Sequence, residues 1–182
     1  MKQNNVSNSI YIKNMVFIAL FAAIICIMAP FSLSVGVIPI SLGTFAIYLA
    51  GGFLGGKKGM AAVGVYIFLG AVGLPVFTGF SGGFAKLLGV TGGYIIGYIP
   101  LVLITGIFAE KNKALMPLGM VLGTLACYVF GTAWFVISTG SELVPALMTC
   151  VVPFLIGDAI KVAAASAVCI PLRSRLNKIM GN

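Results

Sequence analysis

The chain has no histidine and only three acidic residues, Glu110, Glu142 and Asp158, among 182. That scarcity excludes most hydrolytic chemistry. A Ser/His/Asp or Cys/His set needs an imidazole, and an aspartyl intramembrane protease needs two carboxylates at membrane depth where this sequence offers one. Glu110 and Glu142 read as loop residues. The four cysteines, Cys26, Cys127, Cys150 and Cys169, are widely spaced in apolar runs with no histidine to share a ligand set. They read as small buried side chains, not as a zinc or disulfide framework. No catalytic residue, metal or cofactor is expected, and no enzyme.

Charge of either sign is scarce as well. Only 8% of residues are charged and 60% are hydrophobic, with a mean hydropathy of +1.16, against about 25% charged residues in an average soluble domain. A bilayer-crossing helix takes about 20 mostly apolar residues, and the apolar runs fill nearly the whole chain. The expected fold is an all-α integral membrane protein of one domain, 1–182, with six transmembrane helices. The spans fall at about 14–33, 40–55, 59–76, 92–109, 114–138 and 144–172. The second is short and Gly-rich, and the sixth is long enough to run past Pro171.

Nine of the eleven basic residues mark one side of such a bundle: Lys2, Lys13, Lys57, Lys58, Lys111, Lys113, Arg173, Arg175 and Lys178. Lys86 alone marks the other, and Lys161 lies within the last span. Because cytoplasmic loops carry the Lys/Arg excess, both termini are expected in the cytoplasm of a multi-pass plasma-membrane protein. The same distribution accounts for the net charge of +8 without a nucleic-acid partner, which would need the cations gathered on one face among polar neighbours. Met1–Lys13 is polar and precedes an apolar run long enough to span, so no cleaved signal peptide is expected.

Gly51–Lys58 has the spacing of a phosphate-binding loop through its first lysine. Lys58 then stands where Ser or Thr must bind magnesium, and no strand precedes the stretch. It reads as helix packing and a topology signal, so any ATP must be used by another subunit. The 24 glycines imply close helix contacts or irregular backbone. Gly119, Gly123, Cys127 and Gly131 form one packing stripe on the fifth helix, and Ala159, Ala163 and Ala167 a second on the sixth. Ala19 and Ala23, beside Ala22, form a third on the first helix, either for internal packing or as a docking face for a partner membrane protein.

Residues 77–94 are too rich in glycine for a spanning helix yet apolar and aromatic. The alternatives are a flexible outer loop and a segment folded back to line a cavity, where irregular backbone is tolerated at membrane depth. As a ligand wall it offers the aromatic faces of Phe80, Phe84 and Tyr94, polar and backbone groups at Thr91, Gly92 and Gly93, and Lys86 as a carboxylate partner. Asp158 and Lys161 sit three residues apart on one helix face inside an apolar segment. Intramembrane charge is costly and usually functional. The pair either holds a small polar ligand, serves as an idle packing pair in a scaffold, or includes in Asp158 the coupling group of an ion-driven transporter of a small organic anion.

Gly89-Val90-Thr91-Gly92-Gly93-Tyr94-Ile95-Ile96-Gly97-Tyr98 resembles the GPTGGYLxGF signature of BioY, the biotin-specific substrate-binding component of energy-coupling factor (ECF) transporters. Pro153 with Phe154 to Lys161 is similar to that family's PFxxxDxxK segment, Ile38 to Thr44 to its first-loop PITLQT stretch, and Ala19-x-x-x-Ala23 to the AxxxA motif that engages the shared coupling subunit. Val90 replaces a proline, Ser41 a threonine and Gly43 a glutamine. The resemblance implies a six-helix subunit that takes biotin from outside and works with a coupling membrane protein and two cytoplasmic ATPases. Asp158 would accept from the ureido nitrogens, aromatic residues such as Tyr94 would flank the bicycle, and Lys86 or Lys161 would meet the carboxylate. The first loop, 31–41, and the Gly-rich segment would be the gates. Other vitamins share the architecture, but a cation such as thiamine suits a site with lysines poorly.

Overall fold

A computed structural model describes residues 2–33 and 40–180. Ile38 and Pro39 of the first-loop motif, residues 34–39 of the predicted gate, and the side chains of Lys2 and Lys178 lie outside the described residues.

The first helix, α1 (Lys2–Met28), stops five residues before the predicted 33, because Pro30 cannot continue a helix and disfavours helical backbone at the residue before it. Two short antiparallel strands follow, β1 (Ser32–Leu33) and β2 (Ile40–Ser41), pairing Ser32 with Ser41 and Leu33 with Ile40. α2 (Gly43–Leu54) is apolar on every side and buries nine of its twelve residues, as a helix without a polar face must. At Gly55, whose φ of +81° favours glycine, the chain reverses directly into α3 (Gly56–Ala71). A Cβ on Gly59 would stand 3.4 Å from the Ala50 carbonyl oxygen, so α3 returns along α2. It ends at Ala71, short of the predicted 76 and before Pro75.

The next segment is irregular as expected, but only as far as Thr91. Phe77 bridges to Ser81, and its buried ring meets Tyr66 edge-on at 5.5 Å and fills the space over Gly70. A single turn, α4 (Phe84–Leu88), follows. Gly92, Gly93 and Tyr94 then open a regular helix, α5 (Gly92–Lys111), which carries Pro100 inside it. Glu110 lies in its last turn and not in a loop. A 3-10 turn at Lys113–Leu115 leads into α6 (Met116–Thr139).

The predicted span 144–172 is two helices, α7 (Leu143–Cys150) and α8 (Phe154–Met180). Pro153 has no N–H and pushes Val152 out of helical backbone. α8 nevertheless runs through Pro171, as its length suggested.

The stripe on α6 packs as anticipated, and α5 is its partner. Gly123 lets the Leu101 carbonyl approach so closely that a Cβ would lie 2.7 Å from its oxygen; Cys127 meets Gly97, and Gly131 lies under the Tyr94 ring. The alanine stripe on α8 does not pack inward. Ala159, Ala163 and Ala167 are exposed, while Phe154, Asp158, Ala165, Ser166, Cys169 and Arg173 form the buried face. Gly52 on α2 accommodates Cys169, whose sulfur a Cβ there would approach to 2.7 Å, so backbone proximity on α2 selects that face.

Ile10–Met28, Gly92–Lys111, Lys113–Thr139 and Phe154–Leu176 are long and apolar enough to cross a bilayer. α2, at 12 residues, is about 18 Å long at 1.5 Å per residue. Contacts between helices define two ends of the bundle. At one end Asn14 of α1, the α2–α3 reversal, Glu110 of α5 and Arg173 of α8 come together. At the other end Ala29, Ser41, Gly89, Trp134 and Lys161 meet.

Candidate functional site

Two unlike charges on one helix turn build the centre of the second end. Spaced three residues apart on α8, Asp158 and Lys161 face the same way, and Lys161 Nζ lies 3.0 Å from Asp158 Oδ1. The ammonium also donates to the Ser41 carbonyl at 2.8 Å and to Thr44 Oγ1 at 3.0 Å. Its three protons therefore have three acceptors. Tyr128 OH donates to the other carboxylate oxygen at 2.6 Å. Asp158 is only 6% exposed, so each of these bonds offsets part of a large desolvation cost.

The sequence explains how the partners arrive there. Ser41 Oγ donates to the Ala29 carbonyl and accepts from Gly43 N–H at 2.8 Å, tying the end of α1 to the start of α2. That knot aims Thr44 at α8. A Cβ on Gly43 would lie 3.0 Å from Ser41 Oγ and 3.1 Å from Ala29 Cβ, so this position, where the resembled family carries a glutamine, is held tightly without a side chain.

The network faces a cavity of about 60 Å3, lined also by Thr78, Lys86, Thr91, Tyr94, Tyr98, Thr124 and Phe154. It combines aromatic walls with a few convergent polar groups, the usual make-up of a small-molecule site. Tyr94 is held in place by its hydroxyl, which donates to the Cys150 carbonyl at 2.9 Å, and by the Gly131 contact. Thr124 is bonded to Tyr48 OH at 2.5 Å. Lys86 is half-buried and makes no hydrogen bond or ion pair with the described residues, so it is the cavity's uncommitted cation.

Of the predicted ligand residues, the structure brings together Asp158, Lys161, Tyr94, Thr91 and Lys86. It places four elsewhere. Phe80 and Phe84 are 60% and 64% exposed, with Phe80 packed edge-on against Phe31 at 5.4 Å. Gly92 and Gly93 serve helix packing: Gly93 lies against Trp134, whose indole N–H donates to the Gly89 carbonyl at 2.9 Å. Tyr128, Thr44, Thr124 and Tyr98 were not anticipated as ligand residues. Tyr128 and Thr124 sit one turn apart beside the small-residue stripe of α6, and polar side chains flanking such a stripe were the available signal. On α1, Ala19 and Ala23 share an exposed face while Ala22 is 2% exposed and packs inward, so Ala22 cannot reach a partner.

The sequence pattern of the BioY family matches residues 1–178. The chain belongs to the BioY family. It is 39% identical over 153 residues to a probable biotin transporter BioY of Pyrococcus horikoshii, covering 84% of this chain and 91% of that one. It is 34% identical over 164 residues to the biotin transporter BioY of Thermotoga maritima, covering 88% and 96%. The crystal structure of an S-component for biotin from an ECF-type ABC transporter superposes with a TM-score of 0.83 at 30% identity, covering 92% of this chain and 94% of that one. This BioY chain therefore shares an S-component fold, and its cavity sits where its own charged pair is buried.

Proposed function

We propose that this protein is the biotin-capturing membrane subunit of an ECF-type importer. The observation that carries the proposal is the pairing of a saturated polar network with an uncommitted cation on the same cavity. Biotin's ureido group presents two N–H donors and one carbonyl acceptor. Asp158 offers acceptor oxygens, and the Thr44 hydroxyl, which Lys161 holds in place, offers a donor on the same side. Tyr94 and Tyr98 supply faces for the bicycle. Lys161 is fully engaged within the protein, so Lys86 is the lysine for the valerate carboxylate.

Six crossings fit α1, α2, α3, α5, α6 and α8, with α2 and α3 as short, tilted members. The end with Lys57, Lys58, Lys111, Lys113, Arg173 and Arg175 then faces the cytoplasm, and the cavity faces outward across the plasma membrane. A space of about 60 Å3 holds a few waters, so biotin enters only if the wall moves. The irregular segment around Phe77–Gly89, with the strand pair beside it, is the part able to do so without breaking a long helix. The exposed Ala19–Ala23 face of α1 permits close approach of a coupling helix, and ATP hydrolysis belongs to the two ATPases of the module.

Isothermal titration of the detergent-purified protein with biotin tests the assignment, alongside Asp158→Asn checked for an intact fold. Saturable binding lost in a folded variant supports it. Absence of binding by the parent protein would return the choice to another vitamin or to an ion-coupled carrier of an organic anion.

A further inference from the structure

The opposite end of the bundle holds a second and larger cavity, about 620 Å3, lined by Leu54, Gly56, Lys57, Lys58, Leu103, Ile107, Glu110 and Arg173. The biotin reading does not use it. Its polar groups are arranged around the α2–α3 reversal. The buried Arg173 guanidinium donates from Nη1 to the Gly52 carbonyl near the carboxyl end of α2. Glu110 Oε1 accepts from Gly56 N–H at the amino end of α3 at 2.9 Å. Each charge has the sign its helix end attracts.

Three features give this cavity a ligand chemistry. Lys57, Lys58 and Arg173 outnumber Glu110, leaving two net positive charges, and Glu110 is already directed at the α3 backbone. The first turn of a 16-residue helix contributes Gly56, Lys57 and Lys58, and helix amino ends attract anions. The remaining walls, Leu54, Leu103 and Ile107, are aliphatic. A free phosphate has no use for an aliphatic wall, and a nucleotide would want an aromatic or polar base pocket. An anionic head carrying acyl chains matches both halves. Basic pockets between membrane helices on the cytoplasmic side bind anionic lipid head groups, which is where the basic-residue distribution puts this end.

We propose that the cavity between the α2–α3 reversal, α5 and α8 binds the phosphodiester head of an anionic phospholipid. The head sits against Arg173 and Lys57, beside the amino end of α3 that Glu110 caps, and its chains lie along Leu103 and Ile107. Occupancy would brace the loopless helix reversal at Gly55.

The test is native mass spectrometry of the detergent-purified full chain titrated with phosphatidylglycerol and, separately, with phosphatidylcholine of the same acyl chains. The expected result is preference for phosphatidylglycerol, by roughly fivefold for each cation engaged. Lys57→Glu, at an exposed position that leaves both helix-end bonds intact, should remove most of that preference. Lys113→Glu, an equal charge change at the same end but outside the cavity, should keep it. Equal losses in both variants would show general electrostatic attraction and overturn the site. So would equal binding of the two lipids, which would leave the cations to an acidic segment of a protein partner. Displacement of phosphatidylglycerol by millimolar inorganic phosphate would also overturn it, in favour of a free-anion site.

Discussion

The two ends of this bundle each hold a carboxylate and a cation in hydrogen bonds within the protein, and they use them in different ways. At one end Asp158 and Lys161 bond to each other and to side chains from α2 and α6, with the whole group facing a cavity. At the other, Glu110 and Arg173 reach separately to backbone groups, an N–H at the start of α3 and a carbonyl near the end of α2. The first arrangement leaves polar atoms beside the space a ligand would fill. The second consumes charge to fix a helix reversal at Gly55. An intramembrane charge is a functional candidate by default, but its partners decide what kind of function: side chains around a cavity can exchange partners with a ligand, whereas a helix end cannot give up its cap without loosening.

The largest effect expected from breaking this contrast is at Asp158. Asp158→Ala leaves Lys161 buried without its counter-charge, a change that costs about 3–5 kcal/mol when one partner of a buried pair is lost. Thermal melting in detergent should fall sharply, and biotin binding should disappear even in the fraction that remains folded. A variant that melts normally and binds normally would show that the pair is idle.

Arg173→Met tests the other end. It keeps the aliphatic bulk and strands the Gly52 carbonyl, at a cost of roughly 1.5–3 kcal/mol for a charge-assisted hydrogen bond. The melting temperature should drop while the folded fraction binds biotin with the parent Kd. A weakened biotin Kd would show that the helix reversal and the cavity are coupled through α2, which joins them.

Lys86→Gln separates ligand binding from stability in the opposite sense. Lys86 has no partner among the described residues, so melting should not change. Biotin affinity should fall about tenfold, equivalent to roughly 1.4 kcal/mol, and biotinamide, whose tail is neutral, should bind parent and variant alike. Equal weakening for acid and amide would remove Lys86 from the carboxylate.

The parts of this arrangement that were legible in the sequence are local ones. A spacing of three residues brings Asp158 to Lys161 whatever else the fold does, and a four-residue small-side-chain period on α6 implies a close neighbour. The same period on α8 misled, because Ala159, Ala163 and Ala167 resemble a packing stripe while Gly52 on α2 recruits the Cys169 face instead. Glu110 read as a loop residue because nothing near it in the chain predicts a partner 54 residues away. That pairing exists only once α2 and α3 have folded back on one another. The break at Pro153 was present in the sequence as a proline, but continuous hydropathy across 144–172 masked it.

Tyr128 marks the boundary between these kinds of information, and its substitution is the smallest change that sharpens the comparison. Its hydroxyl bonds Asp158 Oδ2 at 2.6 Å from across the cavity wall, so it holds the carboxylate from the α6 side while Lys161 and Thr44 hold the other oxygen. Tyr128→Phe removes one hydrogen bond and almost no volume, a loss of about 0.5–1.5 kcal/mol. If Tyr128 only satisfies a buried charge, the melting temperature falls slightly and biotin affinity does not move, because the ureido N–H inherits the vacated oxygen. If Tyr128 orients the carboxylate for the ligand, affinity falls with the melting temperature, and in the double variant with Asp158→Asn the two effects on binding do not add. The cycle, measured by titration on folded protein, decides whether this network is a ligand socket with three fixed walls or two.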